Sequence, residues 1–179
     1  LPFDFFSKVF LKHIGFPDRI VFIFYFFLSI LLLMLSLHYA LSKDSKYKFS
    51  YKKYLIVLMP ILLFVFNPFW LRLISVRFQV YEEVIAYLVV WQIILASLLI
   101  CIWNFPNLLL MVVLSLAAGF AIVIRPTGIC PGSVVYLLAT LKLLKDKQFK
   151  IVFLSLPCFI CPILFCLLTN HYRYGNFAE

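Results

Sequence analysis

The chain has 179 residues, of which 65% are hydrophobic and only 13% charged, and its formal net charge is +9. A soluble domain is nearer half apolar and a quarter charged, so this composition excludes an ordinary soluble domain. The apolar excess falls in long runs, which predicts an all-α, polytopic transmembrane bundle forming a single domain. Because the lysines cluster in short loops between those runs, the positive charge indicates orientation in a membrane and no nucleic-acid partner.

The chain begins with an amphipathic stretch, residues 1–19, that is too charged to span and is predicted to lie as a helix along the membrane interface. Six apolar runs follow, and we expect Pro157 and Pro162 to break the last of them. The fifth run is short and could begin earlier. The remaining residues, 169–179, form a polar tail. The predicted spans are about 20–41, 54–75, 84–103, 108–124, 133–144 and 151–168.

With six spans the loops alternate between two faces of the membrane. One face holds the lysine-rich loops 42–53 and 142–150 and the neutral turn 104–107. The other face holds the residues before the first span, the 72–83 loop, the turn at Arg125 and the tail. The positive-inside rule predicts that the lysine-rich loops are cytoplasmic.

The fourth run ends on a single cation, Arg125, which Pro126, Thr127 and Gly128 follow. An arginine is costly in hydrocarbon, so it should lie at a membrane surface or face a polar cavity. Proline removes a backbone donor and glycine permits unusual dihedrals, so the helix should end here. The guanidinium could bind a phosphate, with the backbone N–H groups near Gly128 and Gly132 approaching the anion. The alternative is an arginine that reaches to lipid headgroups.

Two adjacent acids, Glu82 and Glu83, precede the third span. They could act as a base, bind a metal or orient sugar hydroxyls; the alternative is a pair of helix-start acids that interact favourably with the helix dipole. Tyr81 beside them could stack on a sugar or belong to the interfacial aromatic belt. His171 and Arg173 lie just past the last span and complete the set of polar candidates.

Metal and thiol chemistry are not expected. The three histidines stand at no ligand spacing from a cysteine or aspartate, so no metal site is predicted. Cys158 and Cys161 have the spacing of a redox or zinc pair, but no second pair accompanies them, and buried cysteines in apolar runs behave as small hydrophobes.

Several of these residues lie in segments that resemble the motifs of one known family. The sequence Gly-Phe-Ala-Ile-Val-Ile-Arg-Pro-Thr-Gly at 119–128 resembles the GLA-x-x-x-RPTG helix end of multi-pass glycosyltransferases that use polyprenyl-phosphate sugars. These are of the GT-C type, similar to the protein O-mannosyltransferase and bacterial lipid-sugar transferase families. Residues 1–15 resemble the segment after that family's first outer loop, 80–83 its Tyr-acid loop motif, and 170–176 its N-x-x-x-x-G-N/S-P element, although Phe177 replaces the proline.

The resemblance implies transfer of a hexosyl or pentosyl group from a polyprenyl-phosphate donor to a lipid, glycan or protein acceptor. The reaction would take place on the extracytoplasmic face of a bacterial inner membrane, without a resident cofactor; a divalent metal stays open. Arg125 would contact the phosphate, and Tyr81, Glu82, Glu83, His171 and Arg173 would contact substrate. The family's catalytic acid lies nearer its first span than Asp4 does, so Asp4 is a candidate only, with a solvated helix-start acid as its alternative. We therefore expect a fragment whose catalytic acid lies upstream.

The competing class is non-enzymatic: a transporter, a lipid flippase or a structural membrane subunit. The span interiors carry almost no charge, which counts against an ion-coupled carrier. A lipid flippase is compatible with the same pattern.

Overall fold

In the computed structural model, residues 18–43, 59, 61 and 80–174 are described, and all regular structure among them is helical. Four helices are long and apolar enough to cross a membrane, which makes the chain an integral membrane protein and confirms the predicted all-α class. The helices are α1 (Asp18–Lys43), α2 (Val80–Asn104), α3 (Leu108–Ile124), α4 (Ile129–Lys145) and α5 (Phe149–Tyr174), with a 3₁₀ turn at Pro126–Gly128 before α4.

The bundle has an apolar outside and a core with small polar residues. Large side chains such as Leu109, Phe153 and Phe165 are more than half exposed, as expected where lipid is the solvent. Five serines are buried in the described part of the chain, and each hydroxyl donates to a carbonyl of its own helix. Small residues and satisfied hydroxyls allow helices to approach closely in a membrane. The buried serines are Ser29, Ser36, Ser97, Ser115 and Ser155.

Helix α3 is the centre of the described bundle, since α2, α4 and α5 all pack on it. Trp91 of α2 donates its indole N–H to the Ala117 carbonyl across 2.7 Å. Gly132 of α4 lies against the Ala118 carbonyl, and Gly119 lies against the Phe159 carbonyl of α5. These contacts depend on the absence of a Cβ at both glycines, so the sequence Ala117-Ala118-Gly119 sets the spacing of four helices.

Ring contacts show which helix ends lie together. Tyr39 packs against Phe105 with ring centroids 4.5 Å apart, and the Lys142 ammonium lies 5.9 Å from the Trp103 ring centroid. The end of α1, the turn at 105–107 and the turn at 146–148 therefore share one end of the bundle, which we name the lysine end. The opposite end, the arginine end, holds the start of α2, residues 125–128 and the end of α5. This grouping is the one predicted from loop alternation.

Helices α1 and α2 run in the same direction. Phe22 meets Tyr87 in an edge-to-face contact with centroids 5.5 Å apart, and Tyr39 meets Phe105 farther along. Between these points Phe26 and Ile30 belong to one buried cluster with Ala86 and Val90. The pair therefore starts at the arginine end and finishes at the lysine end.

Several predicted boundaries need correction. A helix with the predicted bounds 108–124 is present, although at 17 residues it is shorter than the four helices long enough to cross a membrane, and α2 starts at Val80, inside the predicted 72–83 loop. The fifth span, predicted at 133–144, begins at Ile129, because Pro131 occupies the first turn, where a missing N–H costs little. The break expected at Pro157 and Pro162 is wrong.

Helix α5 is continuous through both prolines and extends through six residues of the predicted tail, to Tyr174. Pro162 is buried and lies against Gly119 of α3, so packing holds the chain helical there. Helix α1 likewise begins at Asp18, within the predicted lead-in. The rest of that lead-in and the span 54–75, apart from helical residues 59 and 61, lie outside the described residues.

Candidate functional site

The backbone around Arg125 is fixed from both sides. A residue before proline is disfavoured in the α region, and Arg125 accordingly turns extended, with φ −158° and ψ 139°. Its N–H points to the Ala121 carbonyl at 3.4 Å, and its own carbonyl accepts from the Gly128 N–H at 2.8 Å. One extended residue thus joins α3 to the 3₁₀ turn, and the predicted helix end at this point is confirmed.

Arg125 lies deeper than the end of the neighbouring helix α5. Gly119 contacts Phe159 and Pro162, so the level of Arg125 falls near residue 166 of α5. Because α5 continues to Tyr174, it extends roughly 12 Å past that level at 1.5 Å per residue. We call this position, bounded by α2, the 3₁₀ turn and α5, the arginine recess.

Arg125, in the arginine recess, is partly buried as a residue. Among the residues whose side chains the structure describes, which do not include Glu82, Glu83 or Arg173, none forms a hydrogen bond or ion pair with it. The one carboxylate whose surroundings are described, that of Asp146, is at the lysine end and pairs with Lys142 at 2.9 Å. A partly buried guanidinium of this kind can bind an anion, whether a ligand phosphate or a protein carboxylate.

The glycines near Arg125 lie in close contacts between helices. Gly128 has ordinary helical dihedrals, φ −66° and ψ −18°, so the expectation of an unusual conformation is wrong. Its Cα instead lies against the Ala121 carbonyl and the Leu88 side chain. Gly132 is within α4 and packs on Ala118. Both glycines serve helix packing, and the anion-binding role that we gave their surroundings now depends on Arg125 itself.

The register of α2 and α3 places Glu83, the second of the two predicted acids, near the level of Arg125. These helices are antiparallel and are joined at Trp91 and Ala117. Counting eight residues toward the arginine end from each, about 12 Å, reaches Glu83 on α2 and Arg125 on α3. Tyr81, Glu82 and Glu83 lie in the first turn of α2, which is also the position that the helix-start alternative requires.

The other candidates are distributed as follows. His171 is exposed near the end of α5, and Arg173 belongs to the last turn of the same helix, so both lie at the arginine end. Asp4 lies outside the described residues. The structure therefore brings the helical segments that carry Glu83, Arg125 and His171 to one end of the bundle.

No metal centre is found in the described part of the chain, where no three His, Cys, Asp or Glu residues cluster. The cysteines are free thiols, and Cys130 and Cys161 are exposed, so our prediction of a buried small hydrophobe is wrong for Cys161, which lies in an apolar run. Their exposure is on apolar helix surfaces, which the sequence pattern alone could not distinguish from core.

Two features escaped the sequence interpretation. Trp91 of α2 forms a hydrogen bond to α3 through its indole N–H. The only sign of this contact in the sequence was a single tryptophan in the middle of an apolar span. The other is a groove of about 390 Å³ between α1 and α2, lined in part by Ser36, His38 and Cys101. Its signal in the sequence was the presence of small polar residues on two otherwise apolar spans.

Comparisons with known proteins give no further identification: no protein-family model, curated protein or solved structure matches the chain.

Proposed function

We propose that the chain is part of a membrane glycosyltransferase that transfers a sugar from a polyprenyl-phosphate donor to a lipid, glycan or protein acceptor. The observation that carries this proposal is the arginine recess, where Arg125 is partly buried, lies below the end of α5 and shares one end of the bundle with the first turn of α2. A partly buried arginine near a bundle end suits a phosphate headgroup whose chain remains in the lipid.

The proposed reaction is direct displacement at the anomeric carbon. A carboxylate removes the proton of the acceptor hydroxyl, the acceptor oxygen bonds to the sugar carbon, and the lipid phosphate leaves with the bonding electrons. Arg125 stabilises the negative charge that grows on the departing phosphate. Glu82 and Glu83 bind sugar hydroxyls or shape the site beside Tyr81, and His171 and Arg173 contact substrate from the end of α5.

We extend the proposal to topology and orientation. Since α1 and α2 are parallel, the chain must return to the arginine end between them, and the apolar run at 54–75 is long enough for that crossing. Adding this span to the five described helices gives six, with residues 1–17 along the interface. The lysine end then faces the cytoplasm and the arginine recess faces the outside of a bacterial inner membrane.

The test uses membranes that contain the complete gene product and a set of labelled polyprenyl-phosphate sugars. Arg125→Ala should lower transfer about 100-fold, the size of effect seen when one donor to a developing anion is removed. Arg125→Lys should recover part of that loss, because the charge returns without the planar fork. Lys145→Ala, an exposed cation at the lysine end, is the matched control and should leave transfer unchanged.

Full transfer by Arg125→Ala would reduce Arg125 to a lipid anchor. Failure of the unaltered protein to transfer any sugar, together with translocation of the polyprenyl phosphate across vesicles, would favour a lipid flippase.

A further inference from the structure

A glutamine lies at the middle of α2, which is one of the helices long enough to cross a membrane. Helix α2 has 25 residues, from Val80 to Asn104, and Gln92 is its central residue. At 1.5 Å per residue, Gln92 is about 18 Å from either end of the helix, close to the midplane of a hydrocarbon core of about 30 Å. No water is available at this depth, so a side-chain amide without a hydrogen bond is costly there.

The Gln92 amide has no partner within the described bundle. None of the residues that the structure describes forms a hydrogen bond with it, whereas the neighbouring Trp91 donates to the Ala117 carbonyl of α3. Gln92 is partly buried as a residue, yet its amide atoms are not among the buried side-chain atoms that lack a partner in the described core. The amide therefore reaches the outer surface of the bundle.

Gln92 belongs to a line of α2 residues that the neighbouring helices leave uncovered. Steps of four and three residues connect it to Ile85 in one direction and to Trp103 in the other, and these two side chains are 40% and 51% exposed. The buried apolar residues of α2 lie off this line, in the clusters shared with α1 and with α3 and α4. We name the line the α2 seam, and no member of it is fully buried. The α2 seam consists of Ile85, Val89, Gln92, Ala96, Leu99 and Trp103.

The chemistry of the α2 seam favours a second copy of itself as the partner. Alternating steps of three and four residues are the spacing along which two helices pack at a shallow angle. Ala96, one turn from Gln92, permits close approach, and amides form hydrogen bonds between helices in membranes. An amide carries both donors and an acceptor, so two Gln92 side chains related by a twofold axis satisfy each other reciprocally. A different helix would have to bring a donor and an acceptor to the same depth.

We propose that the α2 seam is the contact surface of a homodimer, in which the Gln92 amides of the two copies are hydrogen-bonded to each other near the bilayer midplane. The proposal does not depend on the proposed transferase activity, since its supports are the depth of Gln92, its unpaired amide and the spacing of the α2 seam.

The experiment measures Förster transfer between donor-labelled and acceptor-labelled copies of the full chain, in phosphatidylcholine vesicles at decreasing protein-to-lipid ratios. The unaltered protein should associate as a dimer. Gln92→Leu should raise the dissociation constant about tenfold, the effect expected when a pair of hydrogen bonds between helices is lost in a membrane. Val113→Leu is the control and should leave association unchanged. Val113 is 43% exposed on α3, and the contact of Trp91 with Ala117 places it at a similar depth.

A second measurement keeps the test decisive if Gln92→Leu does not fold. In an otherwise unaltered protein, Trp103→p-benzoylphenylalanine should give a photo-crosslinked product of twice the chain mass. The same replacement at Leu109, which is 69% exposed on α3, should not. A protein that is monomeric at every ratio would overturn the proposal, and so would a dimer that Gln92→Leu leaves intact or that Val113→Leu weakens equally. Equal crosslinking from Trp103 and Leu109 would place the contact on another face of the bundle.

Discussion

Substituting Gly132 by alanine tests the close contact between α3 and α4 directly. A Cβ at this position would lie 2.5 Å from the Ala118 carbonyl oxygen and 3.3 Å from the Ala121 Cβ, whereas ordinary contact begins at 3.4 Å. Both neighbours belong to the backbone or are bound directly to it, so neither can rotate away. The helices must therefore separate by about 1 Å, and overpacking of this kind costs about 1–3 kcal/mol.

Part of that cost is offset, because alanine is favoured over glycine inside a helix by about 0.5–1 kcal/mol. We expect Gly132→Ala to lower the free energy of unfolding by about 0.5–2 kcal/mol, measured by titrating detergent-solubilised protein with SDS and following helical circular dichroism. Gly119→Ala should behave alike, since its Cβ would lie 2.5 Å from the Phe159 carbonyl oxygen. Val134→Ala on the exposed surface of α4 is the control, with a change within about 0.5 kcal/mol. Equal or greater stability of Gly132→Ala would refute the close helix approach.

Two further substitutions use the same unfolding measurement. Trp91→Phe removes the hydrogen bond to the Ala117 carbonyl and should lower the free energy of unfolding by about 0.5–1.5 kcal/mol. Trp103→Phe, at a half-exposed position, is the control and should lower it by less. Equal effects of the two substitutions would mean that the loss of ring volume alone matters. Tyr136→Phe keeps the stack on Phe159 but removes a buried hydroxyl that has no partner in the described structure, so it should stabilise the protein by about 1 kcal/mol. A loss of stability there would indicate that a bound water satisfies the hydroxyl.

The sequence predicted α3 well because strong local signals lie at both of its ends. The Asn107 side chain accepts from the Leu109 N–H and caps the first turn, and Pro126 prevents the chain from continuing the helix past Arg125. The apolar run between these two signals then defined the helix. Where such signals coincide with the ends of an apolar run, composition and local chemistry are sufficient to predict the bounds of the helix.

The same local rules failed at Pro162 and Gly132. Proline in mid-helix usually interrupts a span, but Pro162 is buried against Gly119, and this tertiary contact holds α5 together. Gly132 appeared to belong to a connecting loop because its neighbours are Pro131 and Cys130, yet it is helical because α3 requires close approach there. Neither outcome could be derived without knowing which helices are neighbours.

The candidate site was predictable in its residue types and in its grouping at one end. Alternation of spans already put Glu83, Arg125 and His171 on one side, and the parallel and antiparallel helix pairs agree with that grouping. Relative depth was not predictable, because it depends on the register between helices. Register is set by the contact of Trp91 with Ala117 and of Gly119 with Phe159, and neither pair has a signature in a single sequence.

The depth of Arg125 in the membrane also bears on its two interpretations, a phosphate-binding residue and a lipid-anchoring residue. A helix of 17 residues is about 25 Å long, shorter than a hydrocarbon core of about 30 Å, so an isolated α3 would bring Arg125 close to the acyl chains. A lipid-anchoring arginine relieves that cost by extending toward the headgroups, and bilayer thinning around it would help. Beside it, the apolar surface of α5 continues past the level of Arg125 only through Leu167 and Leu168, about 3 Å, before the polar residues 169–173 begin. Bringing an anion down into the arginine recess relieves the same cost without deforming the bilayer, and a lipid-linked phosphate is an anion that the membrane itself delivers to that depth.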